Sequence, residues 1–111
     1  MLLDESVLHQ SCGGDNDFAR ELFEEYQQRV LELLQSIKSS LSAGQSEEIR
    51  KAAHELKGSS LTLGAMAMAQ ISRTVEDGCR SGQVQQLPEW VTTMEQQAEA
   101  LFAHLKQVGY L

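Results

Sequence analysis

Residues 50–65 read RKAAHELKGSSLTLGA. Taken with Ile49, the apolar and small residues fall at Ile49, Ala52, Ala53, Leu56, Ser60 and Leu63. Spacings of three and four belong to a helix with one buried face. At about 100° per residue these six lie within about 60° of one direction. Ser46 is the expected N-cap and Gly64 the break. The same winding turns His54 out at about 140°, Leu61 at about 120° and Gly58 at about 180°, with Arg50 and Lys57 at about 100° and 80°. His54, Gly58 and Leu61 therefore form an outward strip, flanked on the core side by two cations.

The same periodicity extends in both directions. Before this helix, Phe18, Leu22, Tyr26, Val30, Leu34, Ile37 and Leu41 mark a helix over 16–42, with Asp15 to cap its start and Gly44 to end it. After it, Ala67, Met68, Ile71, Thr74, Val75 and Cys79 mark a helix over 65–80 that closes near Gly82. Pro88 suits the first turn of a last helix, which carries Val91, Met94, Ala98, Leu101, Leu105 and Val108. A short helix is expected near Asp4–Gln10. Strand signals are absent. Short connections favour antiparallel neighbours. The expected fold is all-α: an antiparallel up-down-up-down four-helix bundle with a short extra N-terminal helix, residues 1–111 forming one domain.

Composition bounds the function. The chain has 111 residues, 41% apolar and 23% charged, ordinary for a globular domain. It carries 9 Lys and Arg against 16 Asp and Glu, a net charge of −7. Such a surface repels nucleic-acid phosphates and anionic lipid, so neither is an expected partner. The charge is uneven: residues 47–80 hold five acids and five bases, and the remaining residues hold the whole excess. No apolar run is long enough to cross a membrane and the first residues do not resemble a secretion signal. Cys12 and Cys79 are the only cysteines and are expected as reduced thiols of a cytoplasmic protein. His9 and Cys12 lack a third ligand, so no metal site is expected. The ends at Met1 and Leu111 lean toward a free-standing protein, expected as a monomer.

The outward strip is unusual for a solvated face. Glycine inside a helix costs about 1 kcal/mol relative to alanine. A bare Gly58 one turn from His54 lets another molecule come close to the imidazole, and an outward Leu61 suits docking. Lys57 and Arg50 place positive charge near the ring, and the Ser59 and Ser60 hydroxyls follow. A free imidazole titrates near ~6.5, so at neutral pH it is largely an uncharged nucleophile. Phosphoryl transfer passes through a loose transition state in which positioning and charge stabilisation do most of the catalysis. An exposed histidine with cationic neighbours can supply one half of such a reaction; carboxylates and a divalent metal must come from a partner.

The run His54-Glu55-Leu56-Lys57-Gly58-Ser59-Ser60, followed by Leu63-Gly64-Ala65, resembles the motif of histidine-containing phosphotransfer (HPt) domains, the shuttles of multistep two-component phosphorelays. The order of helices and breaks agrees over nearly all of the chain. The resemblance implies that His54 is phosphorylated on Nε2, that Lys57 supports the phosphoryl group and that Gly58 gives a partner room. It implies no ATP-binding or autokinase activity and no cofactor of its own, with Mg²⁺ on the partner. The implied partners are receiver domains of response regulators or hybrid histidine kinases, with Arg50 and Leu61 at the docking face and Ser59 beside the phosphoryl group. Family members often carry Gln about 22 positions after the histidine; here that residue is Glu76. An acid there can orient the ring through Nδ1–H and would repel a phosphoryl group that came close. Two other readings compete: the dimerisation and phosphoacceptor domain of a histidine kinase, which usually has proline after its histidine, and a non-catalytic helical adaptor that uses the Leu61 strip.

Overall fold

Each helix boundary follows from a residue that supplies or withholds a backbone partner. The computed structural model describes residues 1–111. Helix α1 spans Glu5–Cys12 behind Asp4, whose carboxylate accepts from the Ser6 and Val7 N–H groups at 3.0 and 3.4 Å. Helix α2 spans Asn16–Ser42 behind Asp15, which accepts from Asp17 and Phe18 at 3.0 Å. Helix α3 spans Ser46–Leu63, α4 Met66–Arg80 and α5 Leu87–Val108, the last preceded by a 3₁₀ turn at Val84–Gln86 and carrying Pro88 in its first turn. Ser46 is not the cap of α3. The helix begins on Ser46, and Gln45 before it makes no capping bond; Glu47 and Glu48 in the first turn complement the helix dipole instead.

Contacts between neighbours fix the topology. Arg29 and Tyr26 of α2 meet Glu55 and Ser60 of α3. His54 of α3 meets Glu76 of α4, and the Trp90 ring of α5 lies over Gly78 of α4. Lys38 and Arg20 of α2 reach Glu95 and Gly109 at opposite ends of α5. Where two contacts are given, between α2 and α3 and between α2 and α5, the numbers run in opposite directions, and the short turn between Leu63 and Met66 folds α4 back along α3, so α2 to α5 form the expected antiparallel up-down-up-down ring. Helix α1 lies across one end, where the Ser11 hydroxyl donates to the Thr62 carbonyl.

One apolar core fills the ring, built around Phe23, Ile37, Ile49, Leu56, Met68, Met94, Leu101 and Leu105. All six positions expected to face inward on α3 are buried. On α2 the buried apolar residues are Ala19, Phe23, Tyr26, Val30, Leu33, Leu34 and Ile37, while Phe18 is 42% exposed. A row spaced by fours precesses by about 40° per step, so its first member drifts off the buried face. Val108 is likewise exposed. Trp90 anchors the start of α5 against Gly78, where an added Cβ would stand 2.2 Å from the ring. Cys12 and Cys79 are unpaired thiols.

The turn between α3 and α4 is held by residues 1–4. The Asp4 N–H donates to the Gly64 carbonyl at 2.7 Å, and the Ala67 N–H, which has no partner inside α4, donates to the Met1 carbonyl at 3.0 Å. Gly64 has φ of +80°, and a Cβ there would stand 2.5 Å from the Asp4 carbonyl oxygen. Gly64→Ala therefore meets a left-handed penalty of about 1–2 kcal/mol and an overpacking penalty of about 1–3 kcal/mol. The midpoint of thermal unfolding is expected to fall by ~10 °C or more. A midpoint within ~2 °C of wild type would show that the strap yields freely.

Candidate functional site

Helices α3 and α4 pack against each other more extensively than any other pair, and the site lies on their shared outer face. His54 stands near the middle of α3 with its side chain 61% exposed. Its Nδ1 lies 2.6 Å from Oε2 of Glu76 on α4. Glu76 is 1% exposed, so this carboxylate is buried and every polar contact it makes carries weight. The Lys57 ammonium donates to Oε1 at 2.6 Å, and Arg80, one turn along α4, lies 3.1 Å from Oε2. Burial pushes the Glu76 carboxyl up, but the hydrogen bonds from Lys57 and His54 and the charges of Lys57 and Arg80 outweigh it. The carboxyl is held below its ordinary value.

An ionised carboxylate can only accept, so the bond to His54 assigns the proton to Nδ1. In the neutral ring Nε2 then carries the lone pair, and the side chain is largely in solvent. Beside it Gly58 leaves open space: an added Cβ would meet nothing within 4 Å. The arrangement is an accessible imidazole nucleophile with its tautomer set by a buried acid. No three His, Cys, Asp or Glu side chains lie close enough to hold a metal ion.

The Hpt domain family model matches residues 21–104. The chain belongs to the Hpt domain family. In that family its members are phosphotransfer carriers rather than kinases. The phosphorelay intermediate protein rdeA of Dictyostelium discoideum is 24% identical over 99 residues, 89% of this chain and 39% of that protein. The chain thus spans about two fifths of that curated relative. The crystal structure of histidine-containing phosphotransfer protein B from Pseudomonas aeruginosa superposes with a TM-score of 0.89 at 28% identity, covering 96% of this chain and 92% of that one. No helix of the Hpt bundle is long and apolar enough to cross a membrane.

The expected site residues divide into two groups. His54, Lys57 and Glu76 come together, and Gly58 and the 42% exposed Leu61 share their face. Ser59 faces elsewhere: its hydroxyl donates to the Leu56 carbonyl at 3.3 Å, and it lines a groove with Tyr26 and Arg29 of α2. Five residues beyond His54 is about 140° around a helix, which explains the separation. Ser60 is buried and shares a hydrogen bond with Tyr26 at 2.7 Å. Arg50 is engaged by Glu47 at 2.9 and 2.7 Å rather than standing free beside the ring. Arg80 was not singled out from the sequence, although it lies four residues after Glu76, where helical side chains pair.

Proposed function

We propose that this Hpt domain is a phosphorelay intermediate in which His54 accepts a phosphoryl group from a receiver-domain phosphoaspartate and passes it to another receiver aspartate. The observation that carries this reading is the exposed imidazole whose Nδ1 is bonded to a buried glutamate. Nε2 attacks phosphorus, an N–P bond forms, the acyl-phosphate P–O bond breaks and the donor aspartate leaves as carboxylate. The ring becomes a phosphoimidazolium whose positive charge is balanced by Glu76. Transfer onward reverses these changes on a second receiver. Positioning dominates such chemistry, and the open surface at Gly58 lets the receiver's phosphoaspartate approach in line.

Lys57 supports the reaction while bound to Glu76. An ammonium has three donors, so contact with the carboxylate leaves donors for a phosphoryl oxygen. The metal and its carboxylates belong to the receiver. The donor is a receiver, from a hybrid kinase or a response regulator, and ATP plays no direct part. The reading places the chain in the cytoplasm as a monomer of one domain.

The test is transfer from a phosphorylated receiver domain with Mg²⁺ present, following label onto this chain. Acid-labile, alkali-stable label is expected. Absence of label with every receiver domain of the same cell would overturn the reading.

A further inference from the structure

Two helices bring donors and charge to the Glu76 carboxylate. His54 and Lys57 of α3 take one oxygen each, Nδ1 at 2.6 Å from Oε2 and the ammonium at 2.6 Å from Oε1. Arg50 of α3 adds positive charge from farther off while bonded to Glu47. Arg80 of α4 stands 3.1 Å from Oε2, the oxygen that the ring already uses, four residues along the same helix as the acid. The two close cations are not equivalent. Lys57 is three residues from His54, so it shares the ring's face of α3 and can serve both the carboxylate and a phosphoryl oxygen. Arg80 belongs to the helix of Glu76 and stays beside that acid whatever happens at the ring.

Burial makes the second cation matter. Glu76 is 1% exposed, and a charge pair is held more strongly where water is excluded. With Lys57 as its sole close cation, the carboxylate would draw the ammonium away from an arriving phosphoryl group, since a buried carboxylate stripped of its partner is costly. Arg80 takes up part of that demand. We propose that Arg80 is a positioning residue for phosphoryl transfer: by neutralising Glu76 from α4 it lets Lys57 lean onto the phosphoryl oxygen while the carboxylate stays bonded to Nδ1–H. Glu76 and Arg80 then act as one unit, in which the cation at 80 is needed because residue 76 is an acid. A glutamine at 76 carries no charge to neutralise and leaves Arg80 without a task. This inference rests on the reading of His54 as phosphoacceptor and of Lys57 as the support of its phosphoryl group. Arg80 reaches the reacting atoms only through Glu76 and Lys57.

The test is a double-mutant cycle of Arg80→Gln and Glu76→Gln, with Arg80→Lys as the conservative variant, each assayed well below its thermal midpoint. Two donors are used: a purified phosphorylated receiver domain with Mg²⁺, and phosphoramidate, a small phosphoryl donor that needs no docking surface. Arg80→Gln is expected to lower the rate of His54 phosphorylation at saturating receiver by about tenfold, with KM within about twofold, and to lower the phosphoramidate rate by a similar factor. Arg80→Lys keeps a cation four residues after the acid and is expected to stay within about threefold of wild type. In the Glu76→Gln background, Arg80→Gln is expected to change the rate by less than about twofold. An equal loss in both backgrounds would show that Arg80 acts without Glu76 and would overturn the proposal. A raised KM for the receiver with kcat and the phosphoramidate rate intact would overturn it too, by moving Arg80 to docking. So would a loss in Arg80→Lys as large as in Arg80→Gln, or no loss in either. Failure of wild type to take label from both donors would instead bring down the phosphoacceptor reading.

Discussion

His54→Gln is expected to take up no acid-labile label from any receiver while unfolding within ~2–4 °C of wild type. The chemical half follows from the nucleophile. A glutamine amide nitrogen has no available lone pair, and no other side chain on this face offers an imidazole. The stability half follows from exposure: the His54 side chain is 61% accessible and buries no core surface. The contact it gives up is the one to Glu76, and a glutamine N–H can donate there in its place. Lys57 and Arg80 remain on the carboxylate, so no buried charge is stranded. Surface changes of this kind fall within about 0.5 kcal/mol, which sets the narrow thermal window. Label persisting on the variant would place the acceptor elsewhere, with His9 and His104 as the remaining imidazoles. A thermal midpoint lower by ~10 °C would make His54 structural.

The bundle and the outward strip were legible because they depend on winding angle alone. Ile49, Ala53 and Leu56 fix the inner face of α3, and that places His54, Gly58 and Leu61 outside without reference to any neighbour. Asp15 and Gly64 start and end helices by local geometry. What the sequence hid depends on two helices at once. The family resemblance puts Glu76 beside the ring, but not its burial: on its own helix it reads as a surface acid, and only the convergence of His54, Lys57 and Arg80 makes that burial tolerable. The engagement of Lys57 and Arg50 was hidden for the same reason in one case and by conformational choice in the other. Arg50 has Glu47 within its own helix, three residues back, a pairing that competes with any role beside the ring. Phe18 was misplaced because a row of fours was followed past the point where the helix had turned it away from the core.

Glu76→Ala and Glu76→Gln are expected to separate what the carboxylate does for the ring from what it does for the charges around it. Alanine removes the acceptor at Nδ1, so the ring is free to carry its proton on Nε2, where it blocks attack. Losing a partner that orients an imidazole costs about 10–100-fold, and the rate of His54 phosphorylation should fall by that factor. Glutamine has one acceptor oxygen. If it accepts from Nδ1–H the tautomer is kept, and the amide NH₂ then faces Lys57, donor against donor, so Lys57 swings free. Phosphorylation should stay within about tenfold of wild type, but the phosphoimidazolium loses its counter-charge. A neutral phosphoimidazole is a poorer leaving group, so the Gln variant should hold its phosphoryl group longer and pass it on more slowly. The pH dependence of stability gives an independent check. The folded Glu76 carboxyl lies below its ordinary 4.5, so its contribution is fully present above that value and is lost as pH falls through the lowered one. Wild type should therefore lose more stability than Glu76→Gln on acidification below about pH 5. Parallel profiles for the two would mean that folding leaves the Glu76 titration unshifted, and a wild type that gains on the variant as pH falls would mean that Glu76 is protonated in the fold. The donors at 2.6 Å on both of its oxygens argue against that, because a protonated oxygen would have to donate toward a group that is itself donating.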